Sequence, residues 1–281
     1  MSDTQVRGSR VGSPLEATYR ELLLSCGSLR AGLLVTGRGP ERPGHVGAGE
    51  LAEHLDLLVA GEAARILAEH GHEAREHVAA SRLLHHYLWS LCLLVSGPWY
   101  LARRVPRIMP ADVWIDPAGG ELVVRPGEFA CLPGDPAAGL PGVRVLAGED
   151  GLRAELRAVL AEHLAPVLAV FRRPLKRGPR ALWGMATDDL VSGIWYLGRM
   201  RGEEDRAVRE ATALLPGDTA PFPGAAGFRR LAGADGRDHR TRTRLGCCLY
   251  YAIRPADTCL TCPRTCDAER LRRLEQEAEP A

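Results

Sequence analysis

Apolar residues recur first at helical spacing. Ser13-Pro14-Leu15-Glu16 combines an N-cap residue, a proline at the first helical position and a glutamate at the third. That start predicts a helix running to about Leu29, with Leu15, Tyr19, Leu22 and Leu23 buried. Residues 36–47, rich in Gly and Pro, read as a loop. Leu51, Leu55, Leu58 and Val59 give one apolar face to a second helix over 50–70. A third, over 73–95, carries Val78, Leu84, Leu88, Leu91 and Val95 and becomes almost wholly apolar, the pattern of a central core helix. Gly97-Pro98 is expected to stop it, with a short helical turn through Trp99 and Tyr100.

The period then changes to two. Val113-Trp114-Ile115 and Leu122-Val123-Val124 flank a Pro- and Gly-containing turn and predict a β-hairpin, with further strands over 129–132 and 143–146. Helical spacing returns over 151–171, with Pro166 expected to kink it, and again over 180–200 and 203–215. Residues 216–243, rich in Pro, Gly and Arg, read as a linker, and 267–277 as an amphipathic helix. There is no internal repeat. The expected fold is α+β and mostly helical: a helical body with a small antiparallel sheet over 1–235, and a C-terminal module over 236–281.

The module holds the densest chemistry. Four of the eight cysteines, Cys247, Cys248, Cys259 and Cys262, fall in one short stretch as an adjacent pair and a C-x-x-C. Two disulfides are disfavoured, because vicinal cysteines bridge each other only through a strained ring and nothing suggests export. Zinc needs four tetrahedral ligands, usually from two knuckles, and only the second half is a normal knuckle. Neighbouring cysteines on an extended chain point apart, so a kink is needed, and Gly246 is the expected source. A [2Fe–2S] cluster takes four thiolates over two irons and accepts diverging sulfurs. The residues alone leave three fillings open: an iron–sulfur cluster, zinc, or a structural or redox thiol cluster.

The flanks bear on that choice. Leu249, Tyr250, Tyr251 and Ile253 form an apolar run that would shield a cluster, or a plain buried strand between ligands. Arg254-Pro255 then turns the chain back. Residues 229–244 set Arg229, Arg230, Arg237, Arg240, Arg242 and Arg244 against Asp235 and Asp238. Such a run either stabilises a reduced, more negative cluster or forms a solvated basic loop.

Cys-Cys-x10-Cys-x2-Cys after an arginine-rich segment, opening as Cys247-Cys248-Leu249-Tyr250-Tyr251, resembles the C-terminal iron–sulfur signature of FhuF-type ferric-siderophore reductases. The resemblance is tight over 240–263 and looser at Ala181-Leu182-Trp183-Gly184-Met185-Ala186 and Ala80-Ser81-Arg82-Leu83-Leu84. Met185 stands where that family is expected to carry a polar amide. The resemblance implies a [2Fe–2S] cluster on Cys247, Cys248, Cys259 and Cys262, an FhuF-like body over 1–235 and an iron–sulfur module over 236–281. It also implies one-electron reduction of chelated Fe(III), with the ferric siderophore lying between body and module. No glycine loop follows a strand, so a nicotinamide or flavin is not indicated, and electrons are expected from a donor protein such as a ferredoxin. Cys266 is an extra thiol, read as the first turn of the final helix, packed as a small apolar residue. The alternatives are a zinc-stabilised, non-redox binding protein and an electron carrier without its own substrate.

Composition narrows the setting. A net charge of +1 argues against a nucleic-acid protein. Lys176 is the sole lysine, a compositional bias that warns against giving every arginine a function. The N-terminus lacks the uninterrupted apolar segment of an export signal, and Leu23-Leu24-Ser25-Cys26-Gly27 lacks one before it as a lipoprotein box. The most apolar window, Tyr87 to Val95, is about half the length of a membrane span. A cytoplasmic protein without stable membrane insertion is expected. His85-His86 lacks zinc-protease spacing and reads as a packed or capped pair, and His70 and His72 as solvent-facing. Trp183, Trp195 and Tyr196 read as core. Five cations in the run Arg172, Arg173, Lys176, Arg177 and Arg180 read as solvated, with an anionic chelate or an acidic ferredoxin as the alternative.

Overall fold

The computed structural model describes residues 14–27, 29, 31–33, 44–118, 120–233 and 236–278. The expected Ser13 cap and most of the 36–47 loop lie outside them. The amphipathic stretches become helices α1 (Pro14–Ser25), α2 (Leu51–His70), α3 (Glu76–Ala102), α4 (Glu149–Leu175), α5 (Pro179–Met200), α6 (Glu204–Leu214) and α7 (Asp267–Ala278). The fold is α+β and mostly helical.

Helix α3 is the axis of the body, with α1, α2, α4 and α5 packed around it. Leu84, Leu88, Leu91, Leu94, Trp99 and Tyr100 are completely sequestered. Burial of each such side chain stabilises by roughly 1.5–3 kcal/mol. The helix does not stop at Gly97-Pro98 but runs through them to Ala102, where Arg103 turns left-handed (φ 53°). Packing overrides the local signal. A Cβ on Gly97 would stand 2.6 Å from Leu22 of α1, so glycine lets α1 close onto the helix, while the buried Trp99 and Tyr100 hold the next turn in register despite the donor lost at Pro98. By length and composition α3 could cross a membrane, but 78% of its apolar window is buried inside the protein, as in a core helix. The apolar window read from the sequence is shorter than the helix because His85-His86 precede it and Ser96, Gly97 and Pro98 follow it.

Among the described residues the strands form three small sheets rather than one. In the first, β1 (Ala31–Leu33), β2 (Val46–Gly47), β4 (Val113–Ile115) and β5 (Leu122–Val124) lie in the order β1-β5-β4-β2. The expected hairpin is β4–β5, with Trp114 opposite Val123, while β1 joins β5 in parallel. The second sheet orders β3 (Arg104–Pro106), β6 (Phe129–Cys131) and β7 (Val143–Val145). It is also mixed, because β6 and β7 pair in parallel. The third is a hairpin of β8 (Phe228–Ala232) and β9 (Asp238–Arg242), inside the stretch expected to be a linker. Its arginines and polar residues masked the strand alternation. The expected boundary at 235/236 falls between its two strands.

One polar group lies deep in the core. The fully buried His163 of α4 has Nδ1 2.8 Å from the Ile108 carbonyl and Nε2 2.6 Å from the Tyr87 hydroxyl. A carbonyl only accepts, so Nδ1 carries the proton and Nε2 accepts from Tyr87. Burial holds its pKa down at about 4, against 6.5. The unfolded chain therefore binds a proton that the folded one refuses. The contribution is fully present above pH 6.5 and is lost as pH falls toward 4, worth about 3 kcal/mol. Urea midpoints at pH 7 and 4.5 should show this component in the wild type and its removal in His163→Gln.

Candidate metal centre

The site begins on α5, where Asp188 and Asp189 are both buried. Strand β9 ends at Arg242, and the chain then crosses α5 toward the thiols. Asp188 receives that crossing: the Leu245 and Gly246 backbone N–H groups donate to its carboxylate at 2.9 and 2.7 Å. Arg242, with no exposed surface, donates to the Asp188 carboxylate, the Asp188 carbonyl and the Ser192 hydroxyl at 2.8, 2.8 and 2.7 Å. Arg244 lies 3.6 Å from both Asp188 and Asp189. Burial pushes the Asp188 carboxyl up, and the two guanidinium groups and two amides offset only part of that rise. For Arg244 burial opposes the charge, but Asp189 and Asp188 outweigh it and its pKa rises.

Gly246 permits close approach rather than a kink. A Cβ there would meet Met185 at 3.1 Å, and no positive φ occurs at this residue. The kink comes after the cysteine pair, at Leu249, which adopts the left-handed conformation (φ 64°, ψ 12°), at a cost of roughly 1–2 kcal/mol for a side chain. Tyr250–Ala252 then form a 3-10 turn, not a strand. Met185 sits against this crossing: the Arg177 guanidinium reaches both its sulfur and the Cys247 carbonyl at 3.0 Å.

Cys259 and Cys262 return on a second anchor. The Cys262 N–H donates to the Cys259 carbonyl at 2.9 Å, closing the knuckle turn. The buried Arg270 of α7 donates to the carbonyls of Leu260, Cys262 and Thr265. Cys247, Cys248, Cys259 and Cys262 thereby line one small cavity with Tyr250, Tyr251 and Arg244. Cys266 lies outside it, exposed immediately before α7 and not packed.

The sulfurs are met by hydrogen-bond donors. Arg82 of α3 donates to Cys248 Sγ at 3.3 Å, the Leu249 N–H to Cys247 Sγ at 3.4 Å, and Arg244 reaches Cys259 Sγ at 3.8 Å. Burial, with the neighbouring cysteines, lifts the free Cys259 thiol to about 11 against the pull of Arg244, and raises Cys247 against that of the Leu249 N–H. Donors of this kind stabilise thiolate, the form that binds metal. Among the described residues no group of three or more His, Cys, Asp or Glu side chains is drawn together tightly enough to hold a metal ion as it stands. Four thiols around one cavity, met by cationic and amide donors, fit the four-thiolate ligation of a [2Fe–2S] cluster.

Beside the thiols, between α2, α3, α5 and the cysteine loops, lies a second cavity of about 500 Å³. Its walls include Arg65, Arg82, His85, Trp89, Tyr250 and Cys259. His85 is not merely packed: its Nδ1 is 2.9 Å from Asp189. His86 contacts Arg82 and Arg65. His70, expected in solvent, is half-buried in the same wall with its ring edge on Tyr250. Spacing within one helix could not show this convergence, because Arg82, Asp189 and Cys248 come from three distant segments. Trp183 packs on Phe222 and Tyr196 on Trp89, while Trp195 also donates to Glu204. Of the basic segment, Arg242 and Arg244 are buried at the site, and Arg229 and Arg240 pair with Asp267 and Asp205.

Residues 244–264 match the family model of the FhuF 2Fe-2S C-terminal domain. This segment is an FhuF-type [2Fe–2S] domain. Its cofactor is a [2Fe–2S] cluster. No curated protein matches the chain. The FhuF-type domain starts at Arg244, so Asp188, Asp189 and Arg82, which brace it, all lie in the body.

Replacing Asp188 by Asn leaves Arg242 buried without its counter-charge and Arg244 with Asp189 alone. Urea denaturation should show a loss of about 3–5 kcal/mol, with a much smaller effect from Asp238→Asn on the exposed end of β9.

Proposed function

We propose that the protein is a ferric-siderophore reductase, an oxidoreductase acting on metal ions, whose cluster ligands are Cys247, Cys248, Cys259 and Cys262. The observation that carries this reading is the gathering of these four thiols on one cavity within a matched [2Fe–2S] domain. Residues 1–235 act as the body and 236–281 as the cluster module.

When bound, the cluster supplies single electrons. The substrate Fe(III) takes up one electron and becomes Fe(II), with no covalent bond made or broken. An electron-donor protein such as a ferredoxin replaces that electron. Siderophores grip Fe(III) through hard oxygen donors, and Fe(II) is held far more weakly by such ligands. Each ~59 mV between the two couples changes the affinity about tenfold. The chain's own part is to hold and shield. Tyr250 and Tyr251 cover the thiols, and Arg82 and Arg244 balance their negative charge. No side chain is needed as general acid or base. Release of iron in the cytoplasm, where thiols stay reduced, fits this chemistry.

Anoxically purified protein should be red-brown and contain iron and inorganic sulfide in equal amounts, with no stoichiometric zinc. Cys247→Ser and Cys262→Ser should each lose the visible absorbance and the reduction of a ferric siderophore together. Full reductase activity in a variant without the cluster, or a colourless zinc-loaded wild type, would remove this reading.

A further inference from the structure

The cavity of about 500 Å³ beside the thiols has the size of a small-molecule site, for which roughly 300–1,000 Å³ is usual. Its walls are mixed: Ile66, Trp89, Tyr250 and Ile253 are apolar or aromatic, and three arginines reach it. Two of those arginines are already neutralised. Arg65 is held by Glu62 and Glu69 at 2.6 and 3.0 Å, and Arg244 by Asp188 and Asp189.

Arg82 is different. Its Nη1 donates to Cys248 Sγ at 3.3 Å, its Nη2 meets His86 Nε2 at 2.8 Å, and its plane lies over the Tyr250 ring at 4.9 Å. Among the described residues no carboxylate lies within ion-pair distance of it. These contacts leave Nε and one proton on each terminal nitrogen, on a residue that lines the cavity. The imidazole behind it is held in place. Its Nδ1 lies 2.9 Å from Arg65 Nη2 and 3.4 Å from Glu62 Oε1, and its Nε2 lies 2.8 Å from Arg82 Nη2, so the ring is wedged between two guanidinium groups. Burial keeps His86 neutral, with its pKa lowered to about 4. With Cys248 as a thiolate, one nitrogen of this half-buried guanidinium serves the sulfur, and its remaining N–H edge, paired with no carboxylate, faces the cavity and can meet an anion there.

We propose that this cavity seats the iron(III) chelate and that Arg82 is its binding contact, giving one nitrogen to Cys248 and presenting the rest of its N–H edge to an anionic oxygen bound to the iron. The proposal rests on the reductase reading and adds the place and the residue. One guanidinium then touches both redox partners, so it governs chelate affinity and cluster potential together. Glu62 and His86 are positioning residues that fix its orientation.

The test separates binding from turnover by using gallium(III), which carries the charge of iron(III) but accepts no electron. Gallium complexes of a tris-hydroxamate and of a tris-catecholate are titrated into cluster-loaded wild type, with Trp89 emission as the readout and Trp89→Phe as its control. At least one complex should bind. Arg82→Gln should weaken that binding at least tenfold and lower the midpoint potential of the cluster, measured by titration without substrate. Arg82→Lys keeps the charge but cannot serve sulfur and oxygen at once, so it should fall between wild type and Arg82→Gln, and it remains informative if the glutamine variant fails to load. Arg172→Gln, which removes a surface charge outside the cavity, should change neither quantity. Binding of neither complex by wild type, or an Arg82→Gln protein in which affinity or potential stays at the wild-type value, overturns the proposal. Failure of the reductase reading shows separately, as absence of iron(III) reduction by wild type.

Discussion

Two arginines and two backbone amides share one carboxylate inside the protein, and the cysteine loop is placed by that contact. Asp188 is inaccessible to solvent, and its oxygens accept from Arg242, Leu245 and Gly246. A buried carboxylate is costly unless each lone pair finds a donor. Here the donors all come from the strand that leads into Cys247, so satisfying the charge and positioning the thiols are one event. Met185 and Gly246 then fit only because glycine lets the crossing chain sit on the helix.

The domain that carries the cysteines is electrostatically incomplete by itself. Its matched residues supply Arg244 and the Leu249 amide to the sulfurs. The guanidinium on Cys248 comes from α3, the most deeply buried helix of the body. Concentrated thiolate charge repels itself, and fixed cations in a poorly solvated place relieve that repulsion more than water-exposed ones. Core helix and redox module are therefore joined by charge as well as by packing.

Much of this was legible in the residues. Helical spacing of apolar residues placed the seven helices of the described residues, and the Val113/Leu122 hairpin followed from alternation around a turn. The cysteine spacing announced the centre. Failures came where tertiary packing overrode a local signal. Gly97-Pro98 reads as a stop, yet Leu22 packing on Gly97 and burial of Trp99 carry the helix through. Arginine-rich strands at 228–242 hid a hairpin, because Arg242 faces the interior to meet a charge no sequence window contains. Leu249 took the kink expected of Gly246, and His70 and His86 joined a wall whose other members are far away in the chain. Long-range charge pairing leaves no periodic trace.

The two cysteine pairs are mounted on different parts of the protein. Cys247 and Cys248 hang from α5 through Asp188, whereas Cys259 and Cys262 are tied to α7 through Arg270 and, via Thr258, Arg273. A cofactor held by all four, as proposed, would cross-link two separately moored segments and reduce the conformational freedom of the chain between them.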